Sequence, residues 1–266
     1  MVSGKQSKKK RRQPTPPPVR SKGQSHRQAS PRVLFGGALA LALVVVGVVL
    51  GLVLSAGSSK ANVPQGGSLR NALPAAAEVQ RSLQGIAQRG TTLGAAAAPV
   101  TLVEYIDLQC PYCQQFETQA MPTLISKYVR SGKVKVQVRL LGFIGPDSQR
   151  GRAAALAAGD QNKLFNFAQL LYTNQGIENS GWLNDRMITS AAASIPGLDV
   201  PELLSQRSSA AVREAGNASD AEATASGVNA TPTIFVGKRG KAPRRVALAS
   251  PTDVNAVAAA INAALR

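Results

Sequence analysis

Cys110 and Cys113 are the only two cysteines among 266 residues, and they stand three apart as Cys110-Pro111-Tyr112-Cys113. Thiols at that spacing can close into a disulfide and reopen, exchanging electrons with other thiols. The same spacing could supply half of a zinc site, but a four-thiolate site needs two further cysteines that the chain lacks. It could also be a structural disulfide, although one closing so small a loop constrains the unfolded chain little. Redox exchange is the favoured reading. The single histidine, His26, falls in a basic N-terminal stretch, so the folded part has no His base. That excludes Cys-His proteases and Ser-His-Asp hydrolases. No haem-attachment motif or nucleotide loop is present, so the expectation is no cofactor and no metal beyond the redox-active Cys110–Cys113 pair.

The elements around the pair give it a chemical logic. Thr101–Asp107 is a run of β-branched, aromatic and apolar residues that reads as a buried strand. A helix is predicted from about Pro111 to Ser131, with Phe116, Ala120, Leu124 and Tyr128 on one face and Gly132 closing it. Cys110 then sits at the helix N-terminus, where free N–H groups and the helix dipole favour a thiolate. A lowered pKa makes Cys110 a good leaving group and the couple more oxidising. Pro111 suits the first helical turn, where its missing N–H is not needed. Beyond the helix, Val134–Leu141 reads as a strand and residues 149–226 as helices throughout. Thr233–Val236 and Arg244–Leu248 read as strands, and Asp253–Leu265 as a closing helix. Trp182, Phe165 and Phe167 are assigned to the core of the long helical region.

The N-terminal third is of another kind. Residues 1–77 carry twelve Lys/Arg and no acid, whereas residues 78–266 carry nineteen Lys/Arg against fourteen Asp/Glu. Residues 1–32 are basic and proline-rich, too poor in apolar side chains to fold. Residues 33–54 are uncharged and apolar, about 30 Å as a helix, the thickness of a bilayer core. Ten Lys/Arg precede this stretch and only Lys60 closely follows it, so a single-pass topology with the N-terminus cytoplasmic and the C-terminal domain extracytoplasmic is expected. Ser55-Ala56-Gly57 offers a weak cleavage site, which keeps a signal peptide as the rival to an uncleaved anchor. Residues 55–85 read as linker plus a short helix, within a helical pattern from Ala75 to about Gln88, and 86–266 as the folded domain. The tail's charge serves topology in this reading; nucleic acid is not an expected partner.

The segment from Val100 through Asp107-Leu108-Gln109 to Cys110-Pro111-Tyr112-Cys113 resembles the active-site segment of the DsbA-like branch of the thioredoxin superfamily. Gly227–Val236, containing Thr231-Pro232, resembles its cis-proline segment. Pro232 follows Cys113 by 119 positions, far more than in classical thioredoxins, and residues 149–217 fit the helical insertion of DsbA-like members. The resemblance implies an α/β thioredoxin-like fold, preceded here by one transmembrane helix. It implies that Cys110 is the exposed nucleophile, Cys113 the buried resolving cysteine, and Pro232 a cis residue packed beside them. Thr231, with Pro111 and Tyr112, would contact substrate, Thr231 by strand-like backbone pairing. Glu104, an acid inside an apolar strand six residues before Cys110, matches the superfamily's buried acid. Burial would raise its pKa and let it accept a proton from Cys113; a solvent-facing glutamate on an edge strand is the other reading. The best-known members have His where this chain has Tyr112, so their oxidising strength does not carry over.

The expected activity is that of an extracytoplasmic protein dithiol oxidase, acting on exported proteins with reduced cysteines. A quinone-linked membrane partner of the DsbB or vitamin-K-epoxide-reductase-like kind would reoxidise it. A disulfide reductase or isomerase, and a non-catalytic peptide-binding module with a thioredoxin-like fold, are the alternatives.

Overall fold

A computed structural model describes residues 63–266. The basic stretch 1–32 and the apolar stretch 33–54 lie outside the described residues. Among the described residues no helix is long and apolar enough to cross a membrane.

The sheet has six strands in the order β1-β2-β4-β3-β5-β6. β3 (Val100–Asp107) lies at its centre, parallel to β4 (Val134–Leu141) and antiparallel to β5 (Thr233–Lys238). β4 buries Val134, Val136, Val138 and Leu140 in alternation with half-exposed Lys135, Gln137 and Arg139, the pattern of a strand with one face in the core. β3 is buried continuously from Leu102, as a strand covered on both faces must be. β6 (Arg244–Arg245) forms one edge. At the other edge, β1 (Gln88–Arg89) and β2 (Thr92–Leu93) form a tight hairpin turning at Gly90. That hairpin has no alternating apolar run to announce it. The expected strand Arg244–Leu248 is shorter, because after Val246 N–H bonds the Ile234 carbonyl the chain turns away.

The helix after the cysteines, α2 (residues 111–129), alternates α and π turns: Pro111–Gln115 is α, Phe116–Ala120 π, Met121–Leu124 α and Ile125–Val129 π. Pro122 has no N–H to donate to the preceding turn, and the first wide turn sits just ahead of it. The expected apolar face is buried all the same. α1 (Ala76–Leu83) precedes the hairpin; α8 (Val254–Leu265) packs on β3, β5 and α2.

Five helices intervene between β4 and β5: α3 (Pro146–Asp160), α4 (Leu164–Thr173), α5 (Asp185–Ala193), α6 (Val200–Gln206) and α7 (Ala210–Ala225). Residues 149–226 are thus not helical throughout: a loop at 174–184, with Gly176 against Trp182 and Gly181 at φ +78°, separates α4 from α5. Buried Ala154, Ala155, Ala157 and Ala158 let α3 approach its neighbours closely. Asn184, Asp199 and Ser209 cap α5, α6 and α7 by accepting from Met187, Glu202 and Val212 N–H, caps worth about 1 kcal/mol each. Residues 63–75 lie against this insertion. Gly67 N–H donates to Leu198 O (2.9 Å), Ser68 N–H to Ala193 O (2.8 Å) and Leu73 N–H to Ser194 Oγ (2.8 Å). A Cβ on Gly67 would lie 2.0 Å from the Ile195 carbonyl oxygen, so only glycine fits there.

Candidate active site

β3 delivers the chain into a short connection, Leu108–Cys110, that the insertion holds from several sides. The Asp107 carboxylate accepts Gln109 N–H (2.9 Å) and the Ser148 hydroxyl (2.6 Å), tying the end of β3 to the start of α3. Burial pushes the Asp107 pKa up, and these hydrogen bonds oppose the shift. The Tyr172 hydroxyl donates to Asp107 O (3.0 Å), and Gln175 Nε2 donates to Leu108 O (2.9 Å) and Cys110 O (3.3 Å). Gln109 donates to Ser148 Oγ (3.0 Å) and accepts Asn179 N–H (2.9 Å).

Cys110 caps α2. Its backbone is extended (φ −67°, ψ 120°), Pro111 opens the helix, and its Sγ accepts Cys113 N–H at 3.4 Å. The same sulfur lies 3.4 Å from Thr231 O, and Thr231-Pro232 is a cis peptide. Both cysteines are free thiols. A hydrogen bond from the Cys113 thiol is the largest influence bringing the Cys110 pKa down to about 6; burial opposes it, and Thr231 and the N–H groups of Cys113 and Tyr112 assist. Burial first, and the neighbouring Cys110 second, push the Cys113 thiol well above its ordinary range. The pair is therefore electrically unequal at neutral pH, with a thiolate at Cys110 and a thiol at Cys113.

Cys110 is not openly exposed, as the resemblance had implied. It retains only 5% of its accessible surface, because the Thr231 carbonyl and the first turn of α2 close over it. The exposed members of the motif are Pro111 and Tyr112, the latter at 57%. Phe143 and Ile177 are also large exposed apolar residues, on the two loops that bond to Asp107, Leu108 and Cys110.

Glu104 is fully buried on the central strand, not on an edge. Its hydrogen-bonding neighbour is a second buried carboxyl, Glu117, and burial is the main cause that raises its pKa well above the ordinary range. Burial lifts Glu117 to about 7, while its bond to Glu104 works the other way. Gln169 Nε2 donates to Glu117 Oε2; among the described residues Glu104 Oε2 and Glu117 Oε1 have no other partner. Two carboxyls in hydrogen-bond contact must share a proton. Glu117 escaped the sequence reading, although a signal existed: it stands four residues after Cys113, on the helix face that Phe116 and Ala120 mark as inward. Tyr172 was missed as well. Burial first, and the neighbouring Cys113, Glu117, Asp107 and Glu104 next, push its phenol well above the ordinary range, which places it among them. Phe165 and Phe167 are core of the insertion; Trp182 is partly buried with its Nε1 unpartnered.

Comparison with known proteins agrees with this geometry. Residues 87–251 match the family model described as Thioredoxin. The probable disulfide bond formation protein D of Bacillus cereus is 28% identical over 148 residues, covering 54% of this chain and 68% of that protein. Disulfide bond formation protein D of Bacillus subtilis is 28% identical over 153 residues, covering 55% and 67%. In fold, the chain is similar to oxidised BdbD of Bacillus subtilis, with a TM-score of 0.58 and 21% identity over 68% of this chain and 97% of that one. It is also similar to alpha-DsbA1 of Wolbachia pipientis, with a TM-score of 0.55 and 18% identity over 69% and 92%. With the family model spanning more than half of the chain, the protein belongs to the thioredoxin family, as a DsbA-like thiol–disulfide oxidoreductase.

Proposed function

We propose that this protein is an extracytoplasmic dithiol oxidase working through the Cys110–Cys113 disulfide. The observation that carries this reading is the inequality of the two sulfurs, one held near pKa 6 and the other pushed far above it. In the oxidised enzyme a substrate thiolate attacks Cys110 Sγ and the Cys110–Cys113 bond breaks. Cys113 leaves as a thiolate whose buried site disfavours charge, so it takes up a proton. The proton shared by Glu104 and Glu117 is assigned as its source in this scheme. The substrate's second thiolate then attacks its own sulfur in the mixed disulfide, and Cys110 departs as a stabilised thiolate. The substrate gains a disulfide and the enzyme is left as the dithiol. A stable reduced form makes the couple a strong oxidant.

Thr231 is proposed as the backbone contact for an extended substrate segment, since its carbonyl borders Cys110. Exposed Tyr112, with Phe143 and Ile177, suits unfolded chains that still display apolar side chains. Reoxidation is assigned to a quinone-linked membrane partner, and anchoring to residues 33–54, with the domain outside the cytoplasm. Equilibration with glutathione tests the direction of the chemistry: a potential near that of DsbA supports the oxidase, and one near thioredoxin's supports a reductase. Replacing Cys113 with Ala leaves Cys110 a lone thiolate that attacks a substrate disulfide, displaces one of its sulfurs and has no neighbouring thiol to release it, so disulfide-bearing substrates should accumulate bound to Cys110. Their absence from the trapped fraction would sink the reading.

A further inference from the structure

The end of the sheet away from the cysteines carries a groove that thiol exchange does not use. Lys238 pairs with Val100, at the start of β3, whereas Cys110 follows its end. There the β5–β6 hairpin meets α8 around a cavity of about 420 Å³. Its floor is apolar: Val236, Val246, Ala260, Ala263 and Ala264. Its rim is cationic: Lys238, Lys241, Arg244 and Arg245, with Arg266 at one end. Among the described residues no Asp or Glu side chain lines it. Among the described residues Lys238, Lys241 and Arg244 form no ion pair, although the four ion pairs present occupy other arginines. α8, which forms one wall, carries no charged side chain from Val254 to Leu265.

Apolar methyls ringed by unpaired, solvent-exposed cations complement a ligand with an anionic head and an apolar body. A protein partner held at high affinity would call for aromatic anchors at the groove, and among the described residues no aromatic side chain lines it. Long flexible cations around a smooth floor instead match laterally mobile phosphate headgroups. We propose that the β5–β6 hairpin and α8 dock the domain on an anionic phospholipid surface. The rim cations meet the headgroup phosphates and the alanine floor takes up apolar lipid. This surface stands independently of the redox assignment, because none of its residues touches either cysteine.

The test is hydrogen exchange on the full chain in vesicles, read over residues 236–266. Vesicles containing phosphatidylglycerol should slow exchange there, pure phosphatidylcholine vesicles should not, and raised salt should remove the effect. At about one factor of five per cation, a Lys241→Gln/Arg244→Gln variant should lose roughly 25-fold in the docking equilibrium, read as lost protection in anionic vesicles. Both residues are exposed, and its rate of exchange with glutathione should stay unchanged. Equal protection in both lipids, or an undiminished variant, overturns the proposal. So does protection by inorganic phosphate or poly-glutamate without protection by anionic vesicles, since the groove would then serve a free anion or an acidic peptide.

Discussion

The depressed pKa of Cys110 makes the stability of the reduced protein depend on pH. The thiolate exists only in the reduced protein, so pH should separate the stabilities of the two redox forms. A folded pKa near 6, against 9 for an ordinary thiol, sets a ceiling of about 4 kcal/mol. Solvent screens part of the sulfur's field, and about half that ceiling, ~2 kcal/mol, is the expected gain. The pKa is lowered on folding, so the gain is fully present above the unfolded pKa. It shrinks as pH falls, to about 1 kcal/mol at neutral pH, and vanishes once pH drops below the folded value near 6. Denaturant unfolding of the reduced and the oxidised protein, run in parallel from about pH 9 to 5, measures it directly. The oxidised form has neither thiol and serves as the internal reference for every other titrating group; Cys113, whose pKa is raised, acts in the opposite sense and only toward the alkaline end of the window. A reduced-minus-oxidised difference that stays flat across that window would refute the assignment of the low pKa to Cys110.

The buried carboxyl pair makes an opposite prediction. Glu117 titrates near 7, raised on folding, so its contribution is favourable at low pH and is lost as pH rises through that value. Glu117→Gln should therefore gain stability over the wild type between pH 5 and 8, by about 1–3 kcal/mol, as read by urea midpoints at both pH values. Glu104→Gln should slow attack on the disulfide by at least about tenfold at neutral pH, where proton delivery to Cys113 limits the step; stopped-flow thiol exchange would show it. Tyr172→Phe removes the bond to Asp107 O and should destabilise by about 1–2 kcal/mol, measured by thermal unfolding. Gly67→Val cannot keep the backbone against Ile195 O, so protease cleavage within residues 63–75 should accelerate while thiol exchange persists.

What could be read from the chain followed from covalent neighbourhood. β3, Cys110, Cys113 and the first turn of α2 are contiguous, so strand pattern, helix dipole and thiol chemistry could be combined without any tertiary information. Thr231-Pro232 was reachable only through resemblance, because nothing in its own residues says that it meets Cys110. Glu104 stood out as an acid inside an apolar strand. Glu117 did not, since an acid in a helix is ordinary until the helix register and the facing strand are known. Tyr172, Gln175 and Ser148 come from the insertion, more than 30 residues from Cys110, and their role depends on how α3 and α4 pack. Cys110 was expected in the open only because the resemblance implied it; its cover comes from Thr231, across the sheet. The hairpin at Gly90 was missed because two-residue strands have no period to detect.

The segment at residues 63–75 also bears on the order in which the chain can fold. Gly67 and Ser68 bond to residues 193–198, about 125 positions later. In a chain made or delivered N-terminus first, that segment waits until α5 and the turn into α6 exist. Closing so long a loop carries an entropic penalty that only late, already ordered partners offset. Residues 63–75 should therefore acquire slow amide exchange during refolding only after the helices of the insertion that receive them have consolidated.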